Sequence, residues 1–453
     1  EFSSVSCSSG SSCYRGIERY NMATMKAISA AVVVLVGVVS MLQLVQCDSE
    51  YYGSLPRLSQ SDDKFLDELE RATFLFFWEQ ASPKTGQIKD RAFTHGINDT
   101  RPIASIASTG FGLSALAIAH EREYRNRSEI LERVRTTLRF IWNGLPHEHG
   151  FYYHFVDMDT GERAWNCELS SIDTAILING VIHVGEYFQD DFEIKYLAAG
   201  IYERVDYAWM MQNETTLSMG WTPENGFLED RWNRYCELLM LILQGIGSPT
   251  HPIPVSSWNA FKRETLTYEN MTYIMTAAPI FIHQFSHAWF DFRYRRDNYT
   301  DYFENSVIAT LVTKRWNLSL RNEFPSYGEN FWGITASDTP YGYQAWGGPP
   351  LQGDVDGSIV PCAAAGSLPF LPYDTLSVLR NVKTNYPKAW DRYGFIDAFN
   401  PLIDWYNPDV IGIDLGVTIL MAENLRTGFV WDTFMTNPHI LRAMEAVDLT
   451  LEN

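Results

Sequence analysis

The stretch DTAILINGVIHV (residues 173–184) is apolar on nearly every helical face, and a carboxylate stands at its start. Two further stretches repeat the pattern, ELLMLILQGI (237–246) and DLGVTILMAEN (414–424). A helix that is apolar all round belongs in an interior rather than on a surface. Asp173, Glu237 and Asp414 therefore mark helix mouths that can converge on one buried or half-buried end of a core. A ring of acids there is a candidate active site.

Amphipathic stretches alternate with these apolar ones. DDKFLDELERATFLFFWE (62–79) puts Phe65, Leu69, Ala72 and Phe76 on one stripe. SEILERVRTTLRFIWNG (128–144) does the same with Leu131, Val134, Leu138 and Ile141, with Ser128 as cap and Gly144 as stop. Outer helices are thus predicted at 62–79, 128–143 and 191–211, and inner ones at 107–120, 173–188 and 237–246. Later helices are predicted near 276–291, 303–316, 363–384, 415–425 and 437–447. Amphipathic helices that each cover the back of an apolar one form a double ring. The expectation is an all-α fold, an (α/α)6 toroid, with residues 60–453 as a single domain. A helical solenoid is the alternative, but the sequence carries no fixed-period repeat to support it.

Two segments break the helical pattern. FYYHFVDMDTGERAW (151–165) alternates aromatic and polar residues around Asp159-Thr160-Gly161, which predicts a small β-hairpin just before Glu168 and Asp173. The long segment 324–357 is rich in Gly, Pro, Trp and Tyr, as expected of a functional rim or lid.

The composition, 46% hydrophobic and 14% aromatic, is ample for a large core and excludes a disordered chain. Abundant Trp and Tyr also suit a wet cleft that binds polar rings by stacking. A formal charge of −20 excludes nucleic acid as a partner, because a phosphate backbone needs a basic footprint. A neutral substrate is easily accommodated.

Met25-Lys26 precedes the apolar run AISAAVVVLVGVVSMLQLV (27–45), with Val45 and Cys47 as the small residues before a cleavage near Asp48. Residues 25–47 read as a secretory signal peptide and 1–24 as a non-native or untranslated-region-derived leader, leaving no stable membrane insertion after cleavage. Sequons at Asn98, Asn126, Asn213, Asn270, Asn298 and Asn317 fit a secreted, N-glycosylated product, expected to be a monomer. Beyond the leader and signal only Cys167, Cys236 and Cys362 are left, so at most one disulfide forms, with Cys167–Cys236 as a candidate pair.

Phosphate-loop, zincin, nucleophile-elbow and zinc-cluster motifs are all missing from the sequence. DVDG (354–357) hints at calcium, but Ala365 stands where such a loop needs an acid. No metal or cofactor is expected. Carboxylates are the repeated chemical theme, and glycosidic hydrolysis needs one protonated acid and one ionised carboxylate. Glu237, between Cys236 and Leu238, has the more apolar setting and the longer reach, which suits the general acid. Asp414, in a Gly-flanked turn at a helix start, suits the base, because the helix N-terminus favours the anion. Each could instead be a capping residue. Asp173 and Glu168 read equally as capping groups or substrate contacts, and Asp90-Arg91 and His251 as local pairing. His283 and His287, spaced i, i+4, read as hydrogen-bonded core histidines.

IASTGFGLSALAIA (106–119), ELSSIDTAIL (168–177), YCELLMLILQGIGSPTHPIP (235–254), DGSIVPCAAAGSLPFLP (356–372), YGFIDAFNP (393–401) and IGIDLGVTILMAENLRTGFVW (411–431) together resemble the glycoamylase-like family. That family includes bacterial β-1,2-glucanases and is similar to their fungal counterparts. The resemblance covers nearly everything after position 60. It implies an (α/α)6 barrel and an inverting glycoside hydrolase acting on an oligo- or polysaccharide, usually β-1,2-linked glucan. Glu237 matches the family's general acid, and Asp414 the proposed base, which in related enzymes acts through water and a substrate hydroxyl. Asp173 matches a further site acid. Trp332, Tyr341, Tyr343 and Trp346 fall on the cleft loop as sugar-stacking residues, and Arg91 and Glu168 join Asp173 as substrate-binding positions. Cys236 stands where bacterial relatives more often have Asn, and Leu415 where they more often have Gln; such neighbours tune a carboxylate. The alternative function is a noncatalytic carbohydrate-binding or structural protein on the same barrel.

Overall fold

The computed structural model describes residues 55–451. The predicted leader (1–24) and signal peptide (25–47) lie outside the described residues. Ten helices of nine residues or more organise the rest: α1 (Gln60–Glu79), α2 (Ile106–Glu121), α3 (Arg127–Asn143), α4 (Ser171–Tyr187), α5 (Phe192–Glu203), α6 (Leu239–Gly247), α7 (Tyr302–Ser319), α8 (Pro372–Asn385), α9 (Gly412–Arg426) and α10 (Pro438–Ala446). The apolar helices are buried along nearly their whole length, and the amphipathic ones on a single stripe.

Buried helices pack on one another in succession, α6 on α4, α4 on α2, and α2 on α9. The short helix Pro361–Ala365 packs on α9 in turn. Each is backed by an amphipathic helix: α10 behind α6, α5 behind α4, α3 behind α2, α1 behind α9, and α8 behind Pro361–Ala365. The tightest contact joins α2 and α4. A Cβ at Gly180 would lie 2.0 Å from the Gly110 carbonyl oxygen, so only glycine permits this approach.

Three short antiparallel strands run directly into buried helices and fix where each begins. Ile103–Ser105 pairs with Phe155–Asp157 and leads into α2. Leu169–Ser170 pairs with Gly220–Thr222 and leads into α4. Asp409–Ile411 pairs with Arg91–Phe93 and leads into α9. At the far end of α9, Arg426 bonds the fully buried Glu70, and Arg122 grips Glu423 through two hydrogen bonds of 2.8 and 2.7 Å. Burial and then Glu423 hold the Glu70 carboxyl well above the usual carboxylate range.

Several expectations need correction. The predicted helix at 276–291 is two short 3-10 turns, Ile280–His283 and Ser286–Ala288. The run there is dense in β-branched and aromatic residues, which lose side-chain freedom in an α-helix. The 191–211 helix breaks after Glu203, and Asp206 caps a separate short helix by accepting from Trp209 N at 2.9 Å. The helix at 363–384 is interrupted too, and Pro372 starts a new one. Asn126 rather than Ser128 caps α3, its Oδ1 accepting from Ser128 N at 2.9 Å. The turn at Asp159-Thr160-Gly161 forms, but its return limb makes a single bridge, Val156 to Arg163. Phe155–Asp157 gives its other edge to Ile103–Ser105.

Candidate active site

A cavity of about 380 Å³ opens at the mouths of α2, α4 and α9. Glu237, Asp173, Arg91, Asp90, His154 and Tyr343 line its polar side, and Phe155, Phe281 and Phe285 supply flat apolar faces. A second cavity, of about 310 Å³, lies against the C-terminal half of α4 between Ile182, Glu186, Tyr202 and His439. The first gathers two of the three helix-mouth acids, with the Glu237 carboxyl pushed up by burial, so the chemistry concentrates there.

Asp173 stands in the first turn of α4. Ser170, the cap, accepts from Asp173 N at 3.2 Å and donates its own hydroxyl to Asp173 Oδ2 at 2.6 Å. His154 leans over the same turn, with Nδ1 3.0 Å from Glu168 Oε1 and Nε2 3.5 Å from Asp173 Oδ1. Burial opposes a charge on this imidazole, but the two carboxylates outweigh it and raise His154 to about 9. The ring is therefore a cation at neutral pH, and its hydrogen bond pulls the Glu168 carboxyl down. His154, Glu168 and Asp173 each offer one ligand atom within 4.8 Å of the others, a spacing that could hold a cation; the imidazolium already satisfies both acids.

Glu237 stands one residue before the cap of α6 instead of entering its first turn. Ser286 Oγ fixes its backbone by donating to the Glu237 carbonyl at 2.8 Å. The residue lines the cavity while its carboxyl is enclosed. Burial, reinforced by the negative charge of Asp173, lifts Glu237 to about 7.

Asp414 lies in the first turn of α9 and is buried. It faces a recess of about 10 Å³ with Asp397, Cys362 and Ile411, and Ile411 also lines the main cavity. Burial lifts Asp414 to about 6, while hydrogen bonds with Asp397 and Cys362 and the charge of Arg91 restrain the rise. Arg91 is itself clamped, 2.9 Å from Asp90 Oδ2 and 2.9 Å from Asp338 Oδ2.

The other predicted site residues divide. Tyr343 lines the cavity, and burial together with Asp414 and Asp397 pushes its hydroxyl well above the usual phenol range. Tyr341 is 91% exposed at the tip of the Ser337–Thr339/Gly342–Gln344 hairpin and lines neither space. Trp332 and Trp346 are corrections, being 1% and 6% exposed core residues with no ring face to offer a sugar. Large apolar rings on a long loop can anchor it to the core as readily as they can line a cleft. Cys167, Cys236 and Cys362 are all free, so the Cys167–Cys236 bridge does not form. Cys167 instead donates to Phe155 O at 3.3 Å, and Cys236 to Arg234 O at 3.4 Å. His283 and His287 lie in the 3-10 turns, buried, and burial lowers each to about 3. They bond Tyr235 and Ser306 at 3.2 and 3.1 Å.

Sequence reasoning missed His154, Asp338 and Asp397. The sequence does carry a signal for Asp397, an acid flanked by Ile396 and Ala398 in the YGFIDAFNP motif. His154 stood in the quoted hairpin, without a cue that its partners would be acids.

Residues 229–438 match the family model described as "Glycoamylase: Putative glucoamylase". Over that stretch the chain is similar to the glycoamylase-like family. An exo-β-1,2-glucooligosaccharide sophorohydrolase (non-reducing end) from Parabacteroides distasonis is 25% identical to this chain over 426 residues, 85% of its length. The chain spans 58% of the length of that curated relative. Among solved structures, an endo-β-1,2-glucanase from Chitinophaga pinensis, in complex with sophorotriose and glucose, is 26% identical with a TM-score of 0.81. The match covers 87% of this chain and 99% of that one. A putative glucoamylase from Bacteroides fragilis is 28% identical with a TM-score of 0.81, covering 88% and 99% of the two chains. The glycoamylase-like resemblance thus rests on sequence and helix-rich fold together.

Proposed function

We propose that this protein is a secreted, monomeric glycoside hydrolase that cleaves β-1,2-linked glucan with inversion on an (α/α)6 toroid. The observation that carries the proposal is Glu237, enclosed in the main cavity and raised to about 7 beside the acid Asp173. A carboxyl held protonated near neutrality can hand its proton to a leaving glycosidic oxygen. Asp414 is the base. It opens on the adjoining recess, so it draws the proton of the attacking water through an intervening water or sugar hydroxyl. A bond forms from that water to the anomeric carbon as the glycosidic bond breaks on the opposite face, which inverts the anomer. Asp173, His154 and Arg91 meet sugar hydroxyls, and Phe155, Phe281, Phe285 and Tyr343 meet ring faces.

The named substrates of the relatives support the linkage. The succession of packed inner helices, each backed by an outer one, supports the toroid; the turns at 280–288, against α7 and α9, take the remaining inner position. The signal-like run supports secretion, as do five exposed sequons, Asn98, Asn126, Asn213, Asn270 and Asn298. The sixth, Asn317, is buried and its Oδ1 accepts from Gly333 N at 2.9 Å, so it carries no glycan. The test is NMR observation of the first product from a panel of defined glucans, with wild type and Glu237→Gln. Wild type should release the α-anomer from β-1,2-glucan while Glu237→Gln binds without cleaving. A retained β-anomer or an unimpaired Glu237→Gln enzyme overturns the assignment.

A further inference from the structure

Asp397 lies between the short strands Gly394–Phe395 and Phe399–Asn400 and is 3% exposed. Its Oδ2 accepts two hydrogen bonds of 2.8 Å, from Asp338 N and from Asn407 Nδ2. Both donors are N–H groups, so this oxygen is committed as an acceptor. The opposite oxygen, Oδ1, is buried and receives no hydrogen from any other group, and the same holds for Asp414 Oδ2. The two carboxyls are in hydrogen-bond contact. Two bare carboxylate oxygens facing each other in a buried recess would repel and leave both unsatisfied. A single proton between them removes one charge and satisfies both atoms.

We propose that Asp397 carries this proton and acts as a neutral hydrogen-bond donor that positions Asp414 as the ionised base. The inference rests on the reading of Asp414 as base and makes Asp397 a positioning residue, since it meets substrate only through Asp414. The surroundings choose which partner holds the proton. Asp414 has the N-terminus of α9, the Arg91 guanidinium and the Cys362 thiol on its side, all favouring its anion against burial and the charge of Asp338. Asp397 faces the negative charges of Asp414 and Asp338. The Tyr343 hydroxyl feels the charge of both carboxyls and is itself kept neutral. A protonated Asp397 has the shape and donor pattern of asparagine: one oxygen that accepts from Asp338 N and Asn407, and one donor aimed at Asp414.

That equivalence sets the test, which measures pH profiles of kcat and KM on β-1,2-glucan for Asp397→Asn, Asp397→Ala and Asp414→Asn. Asp397→Asn should keep kcat within about threefold of wild type, because the amide reproduces every hydrogen bond. Asp397→Ala should lower kcat about tenfold to a hundredfold with little change in KM, and its acidic limb should move to higher pH, because the Asp414 anion has lost a donor. Asp397→Asn as inactive as Asp414→Asn would show that Asp397 needs its charge, and would overturn the proposal. An acidic limb left in place by Asp397→Ala would overturn it as well. Asp414→Asn with wild-type activity would sink the base reading itself, and the positioning role with it. Should Asp397→Ala fail to fold, infrared difference spectra of Glu237→Gln with and without Asp397→Asn at mildly alkaline pH decide the matter. Loss of a protonated-carboxyl band supports the proposal, and no loss overturns it.

Discussion

Replacing Glu237 with Gln should stabilise the protein while it abolishes hydrolysis, and the stabilisation should appear only as the pH rises. The Glu237 carboxyl moves from an ordinary value of 4.5 to about 7 in the fold, chiefly through burial. A raised carboxyl binds its proton more tightly folded than unfolded, so between these two values the native state holds more protons and stability falls with rising pH. The full difference corresponds to about 3 kcal/mol, and with the residue partly open to the cavity about 2–3 kcal/mol is expected. Glutamine is neutral at every pH and escapes this cost. Urea unfolding of both proteins at about pH 4 and about pH 8 should show nearly equal stability at the lower value and the variant ahead by about 2 kcal/mol at the higher. An equal gain at both values would refute the reasoning, since it would mean that the substitution acts through packing. A loss at the higher value would mean that the carboxylate is stabilised in place, and a base rather than an acid.

The same groups predict a narrow, bell-shaped kcat/KM profile, rising as Asp414 ionises near 6 and falling as Glu237 ionises near 7; a flat profile across that interval would contradict the pairing of roles. Gly180→Ala should destabilise by about 1–3 kcal/mol or more in thermal unfolding, since its Cβ meets the Gly110 backbone at 2.0 Å, whereas Gly245→Ala meets only the Ile253 and Tyr207 side chains and should cost less. Arg426→Leu should cost about 3–5 kcal/mol, because it leaves Glu70 buried without its cationic partner, while Glu423 keeps Arg122. Glycopeptide mapping of the secreted protein should find sugar at some or all of the five exposed sequons and none at Asn317.

The helices that carry the chemistry were legible because their apolar faces leave no surface on which to lie. Asp173 and Asp414 fall in first turns as their positions required. Glu237 does not, because α6 starts two residues later, and no local pattern distinguishes a residue that opens a helix from one that precedes it. Helices failed where Pro372 or a crowd of aromatic and branched residues overrode an apolar run. The site was less legible than the frame. His154 and Asp397 matter through partners distant in sequence, and Trp332 and Trp346 were misread because an aromatic loop looks alike whether its rings face solvent or core.

The pairing of Arg91–Phe93 with Asp409–Ile411 ties an early strand to one of the last made. A ribosome releases the first long before the second exists. Until α9 emerges, Arg91 has no pairing edge, Asp397 has no facing carboxyl, and the mouth of α2 lacks one of its neighbours. Folding must therefore wait on a distant closure, a topology that slows it. A chain cut short before α9 would then hold most of its helices and the acid Glu237, but neither the Asp414 carboxyl nor the strand that closes on Arg91.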